Sequence, residues 1–263
     1  MTRQSWPAYS AVAGFLFVSL VCLVELLMPR AAQVPARFAS TSAVAAQIAA
    51  ATAPAALVQA AAAPAPLTAD DGYYAGLRSS IRLVQTRIGT TPLSTPDYVS
   101  RLLLTKSAAN RAGLHEVGLT FRDVYGIISA ETSWVPRMGA SKDGTPNLGI
   151  AQFEPATARA LGLRNPDDLV EAVHVAALHM KEAAVWSANR IDGLKLGADE
   201  RATKLREGVS IYYNLSSRGR ATWNGKNTNR LPIETQRHIA NARVGADQAA
   251  ILDAQLQADK YSR

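Results

Sequence analysis

Between Ala31 and Thr68 the sequence is dominated by alanine and proline, at its extreme in "AAATAPAALVQAAAAPAPL". Such a stretch has too few large apolar side chains to build a core, and its prolines interrupt any long helix. It reads as a tether, and it divides the chain. Ahead of it, the run from Ala8 to Met28, "AYSAVAGFLFVSLVCLVELLM", is interrupted only by small polar residues and Glu25. Its length suits a membrane-spanning helix or a long signal-peptide core. Behind it, everything able to fold begins near Asp70. The expected organisation is therefore a membrane anchor or signal segment over 1–30, a linker over 31–69, an N-terminal helical segment over 70–117, a main domain over 118–250 and a tail over 251–263.

The folded part is expected to be all-α. Tyr73, Leu77, Ile81, Val84 and Ile88 recur at helical spacing through residues 73–89. "STPDYVSRLLLTKSAANRAGL" opens with capping residues and continues as an amphipathic helix to Gly113. A third helix is expected from Thr120, as N-cap, to Glu131, followed by a glycine-rich loop, "GASKDGTPNLG", and a short helix opened by Pro155. "NPDDLVEAVHVAALHMKEAAVWSANRI" has acids in its first turn and one apolar face. Two more helices are expected, over roughly 198–213 and from Pro232 onward. No stretch alternates convincingly with period two.

The chain carries 28 Lys and Arg against 21 Asp and Glu, a net charge of +7. That favours a polyanionic partner, whether nucleic acid, anionic lipid or an acidic cell-wall polymer. The single cysteine, Cys22, excludes an intrachain disulfide and a cysteine metal site. His174 and His179 lie five apart, off the spacing that puts two ligands on one helical face, and no HExxH pattern occurs. No metal and no cofactor are expected. Nor is there a GxSxG nucleophile elbow.

"SAETSW", Ser129 to Trp134, sets Glu131 at the end of the apolar run Val124-Tyr125-Gly126-Ile127-Ile128. A carboxyl held against apolar groups stays protonated to higher pH than a free one, which suits it to protonate a leaving oxygen. The plainer alternative is a helix-end glutamate in water. Further on come "NLGIAQFEPATARALG" (147–162), "GVSIYYN" (208–214) and "LPIETQRHI" (231–239).

This order resembles the lysozyme-like catalytic domain of the lytic transglycosylases, related to goose-type lysozyme. In that family a helix ends in the catalytic Glu, usually followed by Ser. Then come Gly-Leu-Met-Gln-Ile-x-Pro-Ala-Thr-Ala, Ala-Tyr-Asn-Ala-Gly and, near the end, Leu-Pro-x-Glu-Thr-x-x-Tyr. The likeness spans about residues 118–245. It implies that Glu131 is the acid and base, that Gln152, Tyr213 and Asn214 contact substrate, and that Thr132 and Glu234 belong to the same site. It also implies peptidoglycan strands as substrate, a bacterial envelope location with a periplasmic catalytic domain, and no nucleic-acid partner. A tethered enzyme of this kind suits general wall turnover or local wall opening for a secretion, conjugation or motility apparatus. Three departures stand out: Thr132 replaces serine, "NLSSR" replaces the Asn-Ala-Gly turn, and His238 stands where tyrosine is common, a change that is tolerable if that residue is mainly packing.

Hydrolytic glycosidases normally use two carboxylates. Asp143 and Glu154 are candidates for the second, but neither lies in a stretch the resembled family uses for one. The resemblance therefore implies a mechanism with one carboxylate. A water-using lysozyme with Asp143, or an inactive wall-binding scaffold, are the alternatives. Tyr212 and Tyr213 are adjacent and point to different sides of a helix, with Tyr213 aligned to the cleft. Gln152 has a plainer alternative, capping the following helix, and Trp134 and Trp223 serve either sugar stacking or packing. Arg218, Arg220, Lys226 and Arg230 read as a solvated face or a contact to acidic stem peptides.

Overall fold

The structure, a computed structural model, describes residues 71–141 and 143–262. The apolar segment expected over 1–30, with Cys22, and the linker expected over 31–69 lie outside the described residues. Among those described, no helix is long and apolar enough to cross a membrane.

The described part is mostly helical. In chain order it comprises α1 (Asp71–Ser80), a hairpin of β1 (Leu83–Ile88) and β2 (Thr91–Pro96), and α2 (Tyr98–Ala112). These are followed by α3 (Phe121–Thr132), a two-residue pairing of β3 (Gly139–Ala140) with β4 (Pro146–Asn147), and α4 (Pro155–Ala160). The chain ends in α5 (Leu169–Ile191), α6 (Ala198–Asn214), α7 (Ser217–Ala221) and α8 (Ile233–Tyr261).

Local chemistry explains the helix starts. The Asp97 side chain accepts from the Ser100 N–H at the head of α2, and the Asp168 side chain does the same for Val170 and Glu171 at the head of α5. At α3, Thr120 and Asp123 form a reciprocal capping box. Asp123 also takes Arg206 of α6 at 2.7 Å, so one carboxylate both starts α3 and ties it to a second helix.

The expected helix over residues 73–89 is corrected: it ends at Ser80, and the remainder is a β-hairpin. The apolar stripe 77-81-84-88 mimics a helix, but Gly89, at φ 58°, opens a two-residue turn. Pro92 then has no N–H to continue a helix. The hairpin pairs Leu83 with Pro96 through Ile88 with Thr91. The tail expected over 251–263 is likewise helix as far as Tyr261, because "ILDAQLQADKY" contains strong helix formers and no glycine or proline.

α3 is the central helix, with Val124, Tyr125, Ile127 and Ile128 buried against α2, α5 and α8. Its longest partnership is with α8, and glycine makes that possible. A Cβ on Gly126 would stand 2.2 Å from the Ala242 carbonyl oxygen, and one on Gly245 would stand 2.7 Å from the Ser129 Cβ. The two backbones therefore approach more closely than any pair of side chains would allow. Gly126→Ala is expected to cost about 1–3 kcal/mol or more in urea denaturation of the full chain, because the clash is with backbone. Gly76→Ala, in a helix with open space around it, should be neutral or slightly stabilising. Equal effects of the two would contradict this packing.

Candidate active site

Glu131 lies in the last turn of α3, where its side chain keeps 16% exposure. The chain then turns through two successive residues in the left-handed region, Ser133 at φ 53° and Trp134 at φ 67°. Neither is glycine, so each costs of order 1–3 kcal/mol and must be held by its surroundings. The Trp134 ring is buried against Tyr125, its indole N–H donates to Ser129 Oγ at 3.0 Å, and its carbonyl accepts from Thr95 Oγ1 at 2.7 Å. Arg137 completes the clamp. Its guanidinium donates to the carbonyls of Thr132 at 2.6 Å, Glu131 at 3.0 Å and Val135 at 3.3 Å. Burial disfavours the Arg137 charge and the Glu131 carboxylate supports it, which places a cation beside the acid.

The opposite wall comes from α8. His238 Nε2 lies 2.8 Å from Glu131 Oε1, and the histidine side chain is only 6% exposed. From α6, the Tyr213 hydroxyl is buried, without a hydrogen-bond partner among the described residues. Burial, and then the Glu131 charge, push it well above the usual phenol range, so it stays protonated and can donate. The Tyr213 ring is fixed against His179 and Phe153.

The other candidates divide. Thr132 is buried, and its hydroxyl donates to the Ile150 carbonyl at 2.8 Å, tying α3 to the segment before α4 rather than facing outward. Gln152 sits at φ 51°, and its amide donates to the carbonyls of Arg137 and Gly149, both at 2.8 Å. The side chain thus braces the glycine-rich loop at both ends, with its carbonyl oxygen packed against Gly139. Asn214 is exposed at the end of α6, where its Oδ1 accepts from Thr235 Oγ1 of α8 at 2.8 Å. Glu234, in the first turn of α8, is exposed.

Neither candidate second carboxylate hydrogen-bonds to Glu131, His238 or Tyr213. Asp143 is exposed and accepts the Thr145 N–H at 3.0 Å, which holds its carboxyl below the usual range. Glu154 accepts from Ser141 Oγ at 2.7 Å. Trp134 and Trp223 are both fully buried, so neither offers a face to a sugar. Trp223 instead stacks on Trp186 and donates to Thr228.

Two site residues were missed by sequence reasoning. Arg137 carried no signal beyond being a basic residue in a loop. His238 did carry one: with Thr235, Gly245 and Ala249 it forms the buried stripe of α8 at helical spacing, which places it inward.

Among the described residues, no group of three or more His, Cys, Asp or Glu is placed to hold a metal ion. A cavity of about 430 Å³ opens between α3, α6 and α8, lined by Ile127, Met180, Arg206, Ile239 and Ala246 among others. None of the candidate site residues lines it, so it is separate from the chemistry around Glu131. Comparison with protein-family models, curated proteins and solved structures found no match to this chain.

Proposed function

We propose that the chain is a peptidoglycan lytic transglycosylase with a lysozyme-like catalytic domain, in which Glu131 is acid and then base. The observation that carries the reading is the setting of Glu131: a partly exposed carboxylate beside a buried histidine and a tyrosine with a buried, protonated hydroxyl, with no second carboxylate among the described residues in its hydrogen-bond network. Such a network suits a reaction that needs one carboxylate in two protonation states rather than two in opposite states.

Glu131 gives its proton to the oxygen linking N-acetylmuramic acid to N-acetylglucosamine, and that bond breaks as the 2-acetamido group of the muramic acid stabilises the positive charge. The carboxylate then takes the proton of the C6 hydroxyl of the same sugar as that oxygen closes on C1. The products are a free 4-hydroxyl on the leaving sugar and a 1,6-anhydro ring, and Glu131 returns to its starting state. Tyr213, its hydroxyl buried and neutral, forms the wall behind Glu131. Gln152 and Thr132 hold the loop that frames it, and Asn214 and Glu234 stand at the junction of α6 with α8. In this reading residues 1–30 anchor the protein in the inner membrane and 31–69 give the reach to the wall.

The full chain in detergent, incubated with purified sacculi, tests the reading against a scaffold role. Clearing of the suspension by the wild type is expected. Co-sedimentation with intact sacculi and no clearing would instead favour an inactive wall-binding module, in keeping with the remodelled "NLSSR" segment, which runs from the end of α6 at Asn214 into the first two residues of the short helix α7.

A further inference from the structure

The 2.8 Å contact between His238 Nε2 and Glu131 Oε1 joins residues 107 positions apart, and it exists because Gly126 and Gly245 let α8 close on α3. Three proton arrangements fit that distance: an imidazolium on a carboxylate, a glutamic acid donating to a bare Nε2, or a neutral imidazole donating from Nε2. The other ring nitrogen distinguishes them. His238 Nδ1 is buried and has no hydrogen-bond partner among the described residues. The first two arrangements both put a proton on Nδ1, leaving a buried N–H without an acceptor, and in the imidazolium case a charged one. Only the third leaves Nδ1 bare.

The neighbouring charges agree. The loop after α3 brings the Arg137 cation beside Glu131. From α6 comes Tyr213, which stays neutral. On α8 itself Glu234 and Arg237 are both exposed, and α2 meets α8 through Lys106 and Asp253, about four turns away. None of these groups gives Nδ1 an acceptor.

We propose that His238 is a positioning residue, a neutral imidazole donating from Nε2 to Glu131 Oε1 in both protonation states of the acid. This assignment deepens the proposed reaction and rests on it for its catalytic consequence. With Oε1 held as an acceptor throughout, the transferable proton of Glu131 is confined to Oε2. The glycosidic oxygen is therefore protonated, and the C6 hydroxyl deprotonated, at one fixed atom. A tautomer flip of the acid, which would put the proton where no substrate atom lies, is prevented.

The tautomer can be read without substrate. Nitrogen-15 spectra of the histidine-labelled full chain at neutral pH, with the His238 signals assigned by their loss in His238→Gln, should show Nε2 protonated and Nδ1 bare. A protonated Nδ1 there overturns the proposal. In the release of anhydro products, His238→Gln, which keeps an N–H donor, should retain clearly more activity than His238→Phe. His238→Phe should lose about tenfold in kcat with KM unchanged, as for one hydrogen bond removed from the barrier. Equal activity of the two variants would also overturn it. If the wild type releases nothing, the transglycosylase reading falls, while the nitrogen spectra still decide the pairing.

Discussion

Glu131→Gln should reduce the release of anhydro-muropeptides by about 10²- to 10⁴-fold, the usual weight of a general acid and base. The substitution keeps shape and volume, and the amide oxygen can still accept from His238 Nε2. What it removes is the proton that an acid gives and a carboxylate takes back. The fold should be untouched, because the clamp on this turn acts on the backbone: Arg137 holds the carbonyls of Glu131, Thr132 and Val135, and none of those bonds involves the Glu131 side chain. Retained binding to sacculi, an unchanged thermal midpoint and lost turnover form the expected result. A midpoint lowered in step with activity would instead make Glu131 a structural residue.

The second large effect is on stability and comes from a histidine outside the site. His174 is 1% exposed in the middle of the core, on α5. Its Nδ1 donates to the Val170 carbonyl at 2.7 Å, and its Nε2 accepts from the Ser107 hydroxyl at 2.8 Å. Ser107 in turn lies 2.6 Å from the Tyr73 hydroxyl, and the Tyr74 ring packs edge-on against the imidazole. Burial lowers its pKa from 6.5 to about 4. The native state therefore refuses a proton that the unfolded chain accepts from about pH 6.5 downward. Stability is full above that pH and is lost as pH falls through the window from 6.5 to about 4. The expected loss from this residue is about 3 kcal/mol. Urea denaturation followed by circular dichroism across the window, on wild type and His174→Gln, measures it. The variant should start less stable near neutrality and show a flatter pH dependence. The same slope in both proteins would show that another group is responsible.

Much of the helical scaffold is written locally. Thr120 ahead of "FRDVYGIISAE", Pro155 ahead of "ATARA" and the acids ahead of α5 mark helix starts that need no tertiary contact. The hairpin was hidden because Val84 and Ile88 satisfy a helical stripe as well as a strand, and the deciding residues, Gly89 and Pro92, lie just past the ambiguous run. At the site, Glu131 and Tyr213 could be found from motif order, and they do come together. Gln152 and Thr132 also come to the site, but their polar groups largely serve the loop, which no sequence spacing distinguishes from contact with a ligand. The tryptophans, open to either role in sequence, are packing residues. The Glu131–His238 pair was out of reach for a different reason. It depends on two helices far apart in sequence meeting at glycines, a property of tertiary packing rather than of either segment.

The central claim is that the acid uses the substrate's own C6 hydroxyl rather than water. Mass spectrometry of the muropeptides that the full chain releases from purified sacculi tests this most directly. The account predicts products one water lighter than the hydrolytic ones, carrying 1,6-anhydro ends and absent with Glu131→Gln. Full-weight products with reducing ends would contradict it and turn attention to a second carboxylate, Asp143 first.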